Sequence, residues 1–362
     1  MPKSPNYLLI GSIQAYSGKS ATVLGIAHQL QTQGLKIAYG KPLGTCFTDD
    51  PINPIEADVQ FMSETLQLPG AQLRSTLVSL QAPILEKRLR GEDQTDYRQS
   101  LLAYNQHTEA DLVLLEGPST LDDGLLLNLS LGEIAHCIDA SILLVVRLSS
   151  SLSIDPLLAA KQRLGERLMG IVINDLPQEQ LEMMTSVTRP FLEAQGIPVL
   201  AVIPRSPLLR SVNVGELVKR LNAEVLCRPD RLNLMVESLC IGAMNVSSAV
   251  KYFRKANNMA VVTGGDRTDI QMAALEASTQ CLILTGQLPA SPLVVSRAEE
   301  VEVPVLSVDL DTLTTVEIID QTFGQVRLHE PGKVECMVQL MNEHFDQSRF
   351  MSQLQLKPTV AV

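Results

Sequence analysis

Three consecutive residues, Gly18-Lys19-Ser20, form the strongest chemical pattern in the sequence. They follow an apolar run, Tyr7–Ile10, and open a stretch of helix-forming residues, Ser20–Gln33. Backbone N–H groups at a helix N-terminus point toward a bound anion, and the helix dipole favours negative charge there. A lysine in this position pairs with phosphate oxygens, and the serine hydroxyl ligates Mg²⁺. The pattern therefore predicts a phosphate-binding loop, with an ordinary strand-to-helix turn as the alternative.

Polar residues also follow other apolar runs of the first half of the chain. Lys41 follows the second run, Glu116-Gly117 ends the third, and Asn174-Asp175 follows a later one. Pro204-Arg205 follows the last run, and Asp58 lies in a helix-forming stretch between the second and third. Open α/β sheets bind ligands beyond the carboxyl ends of their strands, so we expect these residues to share one edge. Each residue also has a purely structural alternative. Lys41 could be a solvated lysine at a strand end and Glu116 a surface acid. Asp58 could be an acid favoured by the dipole at a helix N-terminus, and Asn174 a turn residue.

Apolar runs rich in Val, Ile and Leu alternate with helix-forming stretches, which is typical of parallel strands covered on both faces. The expected strands are Tyr7–Ile10, Lys36–Tyr39, Leu112–Leu115, Ser141–Val146, Met169–Ile173 and Val199–Ile203. The expected helices are Ser20–Gln33, Ile55–Leu66, Ile84–Asn105, Pro156–Leu164 and Gln178–Gln195, with Gly34 and Gly196 just past two helix ends. The pattern predicts a doubly wound, mostly parallel α/β domain over residues 1–212.

A second alternating set predicts a smaller α/β domain over residues 213–328, and residues 329–362 form a C-terminal helix and tail. In this second domain an apolar run, Ala260–Val262, leads into Thr263-Gly264-Gly265-Asp266-Arg267-Thr268 and then a helix. The glycines allow a tight turn, Asp266 or Thr268 is placed to cap the helix, and Arg267 is a fork-shaped anion donor. The loop is a second candidate ligand site, and a purely structural turn is the equal alternative.

Composition excludes several classes of function. The net charge of −11 opposes nonspecific binding to nucleic acid or anionic membranes, which requires clustered Lys and Arg. No uninterrupted apolar stretch reaches 18 residues, so no membrane span is expected. The six cysteines are scattered without a Cys-x-x-Cys pair, which favours reduced thiols in a cytoplasmic protein over zinc or disulfides.

The first half of the chain resembles the dethiobiotin synthetase family of P-loop proteins. The strict P-loop pattern fails, because Ile13 stands where it requires glycine, but Gly11–Ser17 resembles the longer loop of that family, with Ser12 in place of a usual glycine. The resemblance implies ATP binding with Mg²⁺ as cofactor. The nucleotide-binding residues it implies are Tyr16, Ser17, Gly18, Lys19, Ser20, Ala21, Asn174, Pro204 and Arg205. It also implies Mg²⁺ ligands at Ser20, Asp58 and Glu116, and catalytic roles for Lys19 and Lys41 if the protein is an enzyme.

The second half, from Ile241 to Asp311, resembles the DRTGG domain, although the glycines here precede Asp266. A dethiobiotin-synthetase-like domain followed by a DRTGG domain resembles the N-terminal half of long phosphate acetyltransferases. In that family acetyl transfer belongs to a further C-terminal domain, which we expect this chain to lack.

Three hypotheses of function follow. The first is an ATP- and Mg²⁺-binding regulatory or sensor protein of the phosphotransacetylase-like family, without acetyltransferase activity. The second is an ATP-dependent carboxylate or carbamate ligase, and the third is a scaffold with a degenerate P-loop. The resemblance also implies a homo-oligomer, most simply a dimer, and a protein partner for the DRTGG domain. The residues leave open whether the nucleotide is hydrolysed or only sensed.

Overall fold

The structure, a computed structural model, describes residues 6–47, 55–105, 109–148, 154–287, 290–325, 328 and 330–358. Its contacts divide the chain into two compact units. The first is Met1–Arg205 together with Leu328–Val362, and the second is Ser206–Arg327. The second unit is therefore an insertion in the sequence of the first, and the C-terminal residues return to the first unit.

The first unit is built on a parallel sheet with the strand order β4-β2-β6-β1-β7-β8-β9. Its central strands are buried along nearly their whole length, which explains why they are continuous apolar runs. A separate parallel pair joins β3 to β5. The strands are β1 (Asn6–Gly11), β2 (Ile37–Gly40), β3 (Leu43–Gly44), β4 (Leu73–Arg74), β5 (Val78–Ser79), β6 (Leu112–Glu116), β7 (Ser141–Val146), β8 (Leu168–Leu176) and β9 (Val199–Pro204).

Helices connect these strands and cover the sheet. They are α1 (Lys19–Thr32), α2 (Ala57–Thr65), α3 (Ala82–Leu89), α4 (Tyr97–Leu102), α5 (Leu131–Cys137), α6 (Asp155–Leu164), α7 (Leu181–Met183) and α8 (Arg189–Ala194). The prediction of a single helix over Ile84–Asn105 is wrong. Gly91 takes φ = 74°, and non-helical residues separate α3 from α4. A π-helical turn, Met184–Thr188, joins α7 to α8. Gly34 and Gly196 take positive φ just past helix ends, as expected.

The second unit has a five-stranded sheet of order β11-β16-β15-β14-β13, in which only the β11–β16 pair is antiparallel. Neighbouring residues of β14 point to opposite faces: Val261 packs in a cluster with Ile270, and Val262 packs in another with Ile319. The strands are β10 (Val212–Asn213), β11 (Glu224–Cys227), β12 (Met235–Val236), β13 (Ser238–Ile241), β14 (Met259–Gly264), β15 (Thr279–Thr285) and β16 (Val305–Val308). The helices are α9 (Pro207–Arg210), α10 (Val214–Leu221), α11 (Val246–Phe253), α12 (Thr268–Leu275), α13 (Pro292–Glu300) and α14 (Thr312–Thr322).

Two C-terminal helices, α15 (Pro331–His344) and α16 (Gln347–Gln353), pack on the first unit. Helix α15 lies so close to α1 that a Cβ on Gly25 would meet the Met341 Cγ at 2.3 Å. The side chains of Met337 and Met341 are fully buried, each contributing roughly 1.5–3 kcal/mol. An Arg349–Glu193 ion pair, with two N–O distances of 2.7 Å, holds α16. The C-terminal residues thus complete the layer that contains α1.

Candidate functional site

The turn between β1 and α1 leaves the start of the helix open to an anion. Gly18 is the N-cap residue with φ = 96°, a left-handed conformation that only glycine adopts readily. No side chain of the described residues caps α1 by a hydrogen bond, so its first N–H groups are available to a ligand. Tyr16 also has a positive φ, 54°, and its ring is exposed. Ser17 is fully buried and Ala21 half-buried. The turn therefore has the conformation expected of a phosphate-binding loop.

Asn174, at the carboxyl end of β8, lies directly against this loop. Its Nδ2 donates a hydrogen bond of 2.9 Å to the Ser17 carbonyl oxygen. A Cβ added to Gly18 would lie 2.1 Å from the same Asn174 nitrogen. The side chain predicted to contact a nucleotide base is thus engaged with the loop backbone, where it fixes the conformation of Gly18.

Ser20 and Glu116 meet at the carboxyl end of the sheet. Strands β1 and β6 are neighbours with Ile10 opposite Glu116, so the β6 carboxylate lies beside the first turn of α1. The Ser20 hydroxyl donates to Glu116 Oε1 at 2.9 Å, and the Tyr39 hydroxyl donates to Oε2 at 3.1 Å. Burial raises the pKa of Glu116, the Lys41 ammonium opposes that shift, and the nearby Asp58 carboxylate adds to it.

Lys41, which follows β2, is held by two acids of the next helix. Its Nζ lies 2.7 Å from Glu56 Oε1 and also contacts Asp58 Oδ2. Burial by itself lowers the pKa of Lys41, but the carboxylates of Glu116, Asp58 and Glu56 outweigh burial and raise it. Asp58, predicted as a Mg²⁺ ligand, is therefore engaged by a lysine in this structure.

Glu56, to which the sequence analysis assigned no role, binds both Lys41 and the N-terminus of α2. Glu56 is the N-cap of α2, and its Oε2 accepts hydrogen bonds from the N–H groups of Asp58 (2.7 Å) and Val59 (3.1 Å). Its other oxygen receives Lys41. An acid immediately before a helix was the available signal, because carboxylates favour helix N-termini. The neighbouring acids Asp49 and Asp50 lie outside the described residues.

Lys19 differs from Lys41 in its partners. It is 9% exposed, and within the described parts of the chain no carboxylate lies close enough to form an ion pair with its ammonium. Burial lowers the pKa of Lys19, and the nearby Glu116 partly offsets this. A buried ammonium without a paired anion costs free energy, which a bound phosphate would recover.

The residues present suit Mg²⁺ only in part. Two ligand oxygens at right angles around Mg²⁺, each about 2.1 Å from the ion, lie about 3.0 Å apart. Ser20 Oγ and Glu116 Oε1, 2.9 Å apart, match that spacing. Over the described ranges, no three His, Cys, Asp or Glu side chains converge to hold a metal. Ser20 and Glu116 therefore fit Mg²⁺ that takes its remaining ligands from phosphates and water.

On the other side of the loop, two arginines bracket Asp175. Arg205 Nε lies 3.1 Å from Asp175 Oδ1, and Arg147 Nε lies 3.6 Å from Oδ2. Arg147 follows β7, and its carbonyl oxygen accepts a hydrogen bond from Gln14 of the loop at 3.2 Å. Arg205 follows Pro204, the last residue of β9, so both predicted residues lie at the same edge as the loop. Arg147 was not predicted, although an arginine directly after a buried strand was visible in the sequence.

The segment Thr263–Thr268 runs from the last two residues of β14 to the first residue of α12, at the carboxyl end of the second sheet. Arg267 is the N-cap of α12, and no side-chain hydrogen bond caps that helix among the described residues, so the predicted capping by Asp266 or Thr268 is wrong. The Arg267 guanidinium donates to the Met244 carbonyl oxygen at 2.9 Å and pairs with Asp269 at 3.2 Å. The sequence favours this pairing because Arg267 is the N-cap residue and Asp269, two residues later, lies in the first turn of α12.

Glycines let the backbone of this second loop pack closely. A Cβ on Gly264 would lie 2.5 Å from Asp266 Oδ1, and Gly265 N–H donates to the Thr285 carbonyl at 3.0 Å. Gln271 is fully buried and donates to the Gly264 carbonyl at 2.8 Å. The six predicted residues therefore lie together, in a turn stabilised by bonds within its own unit.

The parallel sheet with a glycine–lysine–serine turn between its first strand and first helix defines a P-loop fold. Residues 6–213 match the AAA_26 family, described as an AAA domain, and residues 216–322 match the DRTGG domain. The first match covers more than half of the sequence, and the chain belongs to the AAA_26 family. The predicted fold class is confirmed, and the two family matches support a P-loop domain followed by a DRTGG domain.

Phosphate acetyltransferases are among the similar curated proteins. The protein from Synechocystis sp. is 24% identical over 96% of this chain and 51% of its own length. The protein from Nitratidesulfovibrio vulgaris is 26% identical over 96% of this chain and 52% of its own length. The uncharacterised protein YtoI of Bacillus subtilis is 29% identical over 31% of this chain and 25% of its own length. The chain thus spans about half the length of the phosphate acetyltransferases it matches.

Solved structures give more distant matches. One is the septum site-determining protein MinD from Pyrococcus horikoshii, complexed with Mg-ADP. The match covers 57% of this chain and 84% of the MinD chain, with 15% identity and a TM-score of 0.36. Another is the structure of the CBS and DRTGG domains of Clostridium perfringens pyrophosphatase, complexed with diadenosine tetraphosphate. That match covers 41% of this chain and 73% of the pyrophosphatase chain, with 16% identity and a TM-score of 0.29. Among the described helices, none has the length and apolar character that crossing a bilayer requires.

Proposed function

We propose that the first unit binds ATP with Mg²⁺ and that the protein acts as a nucleotide-dependent regulatory or sensor protein. The observation that carries the proposal is the buried Lys19 ammonium, which has no ion-pair partner among the described residues, beside the Ser20–Glu116 pair at the open N-terminus of α1. A buried cation, free helix N–H groups and a hydroxyl–carboxylate pair together match the charges and donors of a Mg²⁺-bound polyphosphate. Bound Mg²⁺ would neutralise part of the phosphate charge.

Each residue of the loop has a role in this proposal. Backbone N–H groups from Ser17 to Ala21 would hold phosphate oxygens, and Lys19 would pair with the outer phosphates. Ser20 and Glu116 would ligate Mg²⁺ directly, and Asp58 would join them, through water or by exchanging its contact with Lys41. These roles depend on side chains that already lie at one edge of the sheet.

The base would lie on the side of the loop where β8 and β9 end. Asn174, Pro204 and Arg205 would border it, with Tyr16 as an exposed ring that can stack on its face. Since Asn174 is already engaged by the Ser17 carbonyl, its contact with adenine would use the oxygen of the same amide.

The engaged state of Lys41 favours a sensor over a ligase. A ligase of the dethiobiotin synthetase type would use Lys41 on the transferred phosphoryl group, but here Glu56 and Asp58 neutralise that lysine. The ligase hypothesis predicts ADP formation that depends on an added carboxylate or carbamate acceptor, and a sensor predicts none. We also propose that the two matched domains do not carry the acetyl transfer for which the relatives are named. An assay of this chain with acetyl-CoA and phosphate tests that point.

For the second loop we propose a structural role, in which Thr263–Thr268 positions α12. The support is the Arg267 guanidinium, whose bonds to Met244 and Asp269 occupy it within its own unit. One observation favours the alternative of a ligand: Gln271 Oε1 is buried and has no hydrogen-bond partner among the described residues. We further propose that the chain forms a homodimer, which sedimentation analysis of the purified chain would test. We also propose that the DRTGG domain binds a protein partner.

The deciding experiment is calorimetric titration with ATP, ADP and GTP, with and without Mg²⁺. Wild type should bind an adenine nucleotide in a Mg²⁺-dependent manner, and Lys19→Ala should weaken binding by about 100-fold or more, since it removes the buried charge. Lys87→Ala, an exposed lysine of α3, is the matched control and should bind as wild type does. A folded wild type that binds no nucleotide would overturn the proposal and leave the scaffold hypothesis.

A further inference from the structure

Two residues of the phosphate loop, Ser12 and Ile13, depart from the glycine-rich pattern. Ile13 stands where the strict pattern requires glycine, and Ser12 stands in place of a usual glycine. The backbone of neither residue has a positive φ, so neither position requires glycine for its conformation. These departures are the reason for the hypothesis of a degenerate loop. The contacts of the two side chains therefore decide whether the loop has lost its structure or is held in another way.

Ser12 closes the first turn of the loop through its hydroxyl. The residue is fully buried, and its Oγ donates a hydrogen bond of 2.6 Å to the Gln14 carbonyl oxygen. The same Oγ accepts a hydrogen bond of 3.1 Å from the Gln14 N–H. Glycine in this position would lose both bonds and would give the unbound loop more conformations.

Ile13 attaches the loop to the core of the first unit. Its side chain is half-buried and packs against the hydrophobic cluster that includes Leu9 and Leu131. Glycine in this position would lose the apolar contact and would again add backbone freedom. The residue that breaks the strict pattern is thus the apolar anchor of the loop.

The next part of the loop is held by the two neighbouring strands. The Gln14 Nε2 donates to the Arg147 carbonyl oxygen at 3.2 Å, directly after β7. The Asn174 Nδ2, at the end of β8, donates to the Ser17 carbonyl oxygen at 2.9 Å. Because β1, β7 and β8 are adjacent in the sheet, both contacts reach the loop from the same side. Side chains and strand ends therefore fix the loop up to Gly18 without a ligand.

We propose that Ser12 and Ile13 are positioning residues, which hold the phosphate loop in its binding conformation before the nucleotide arrives. The inference rests on the proposed nucleotide function and deepens it. Ordering a flexible loop during binding costs free energy, and a loop that is already ordered avoids this cost. Substitutions that bring the sequence closer to the strict glycine pattern should therefore weaken nucleotide binding.

The test is calorimetric titration of the full chain with ATP and Mg²⁺. Ile13→Gly completes the strict pattern and should weaken ATP binding by about tenfold, and Ser12→Gly should weaken it by about threefold to tenfold. In both ligand-free variants the amides of Gln14–Gly18 should exchange hydrogen faster than in wild type. Ile13→Val keeps a β-branched apolar side chain and should bind ATP within about twofold of wild type. Ser75→Gly, an exposed loop serine of the same unit, is the control.

The outcomes separate this inference from the proposed function. If wild type binds ATP and both glycine variants bind it as tightly or more tightly, the inference is overturned and the proposed function stands. The inference is also overturned if Ser12→Gly lowers only the unfolding temperature, since Ser12 would then be merely structural. Weaker binding with unchanged exchange of the loop amides would overturn it as well, because affinity would not depend on loop order. If Ile13→Gly does not fold, Ser12→Gly decides, since it removes no apolar contact. A folded wild type that binds no nucleotide would overturn the proposed function and this inference together, before any variant is made.

Discussion

The two units each place a glycine-containing turn between a buried parallel strand and a helix, but they use their cations differently. In the first unit, Lys19 is buried, no carboxylate of the described residues pairs with it, and none of their side chains caps the helix N-terminus where it lies. In the second, Arg267 is bonded to Met244 and Asp269 of its own unit. The backbone pattern is shared, and the difference lies in whether the cation is already neutralised.

This difference shows why a strand–glycine–helix pattern alone does not predict a ligand site. A helix N-terminus attracts anions in both turns. Among the described residues of the two turns, Lys19 is the buried cation without an ion-pair partner, so an external anion gains more there than at Arg267. Substitutions at matched residues of the two turns test this difference.

The largest expected effect comes from Gly18. Gly18→Ala forces a left-handed φ of 96° on alanine and brings its Cβ within 2.1 Å of the Asn174 amide, which must then leave the Ser17 carbonyl. We expect a loss of about 2–4 kcal/mol in the free energy of unfolding and loss of nucleotide binding. Urea denaturation and calorimetry measure the two effects.

Gly264→Ala is the matched substitution in the second turn. Its Cβ would come too close to the exposed Asp266 carboxylate, at 2.5 Å, and that side chain can rotate away, while Arg267 Cγ lies at an ordinary contact distance of 3.8 Å. We expect stability within about 1 kcal/mol of wild type and unchanged nucleotide binding. Equal losses in the two variants would show that the second turn is as constrained as the first, and the comparison would fail.

The next largest effect on the free energy of unfolding is expected from Arg267→Ala, which removes the bonds to Met244 and Asp269. Since the guanidinium is partly exposed, the loss should be about 1 kcal/mol. It should appear as faster amide hydrogen exchange in α12, with nucleotide affinity unchanged. Arg254→Ala, an exposed arginine of the same unit, is the control. A large loss of nucleotide affinity on removing Arg267 would assign that arginine to the nucleotide site and contradict the comparison.

Much of the fold was predictable because the central strands are buried on both faces. Six apolar runs correspond to six of the seven strands of the first sheet, and the α/β class is confirmed. The seventh, β4, is a two-residue edge strand containing Arg74, and so carries no apolar signal. The break at Gly91 was missed because a glycine in a helical pattern signals an end only when the tertiary structure requires one.

The site was predictable in its location and less so in its pairings. The carboxyl ends of parallel strands share an edge, which places Lys41, Glu116 and Asn174 near the loop without any structural information. Spacing does not say which acid pairs with which lysine. The Lys41–Glu56 and Lys41–Asp58 contacts depend on where α2 begins, and that is set by the tertiary structure.

A smaller effect is expected from Tyr39→Phe on β2, whose hydroxyl contacts Glu116 beside the first turn. Burial and the Glu116 carboxylate raise the pKa of Tyr39 well above 10.0, so the hydroxyl stays protonated and donates to Glu116 Oε2. Without that bond the ionised form of Glu116 is less stable, its pKa rises further, and Mg²⁺-dependent nucleotide affinity should fall by about threefold to tenfold. Tyr252→Phe, an exposed tyrosine of the second unit, is the control. Unchanged affinity would indicate that Glu116 does not bind the ion.

The smallest effect is a titration in the second turn. Hydrogen bonding from Arg267 holds the pKa of Asp269 below its ordinary value of 3.8. A lowered carboxyl pKa contributes stability that is complete above the unfolded-state pKa and is lost as the pH falls through the folded-state pKa. Carboxyl ¹³C NMR of wild type should show this low pKa, and in Arg267→Ala the value should return toward 3.8. An Asp269 pKa that does not change in the variant would mean that the pair is absent in solution. Arg267 would then be as available to an anion as Lys19, and the distinction between the two turns would disappear.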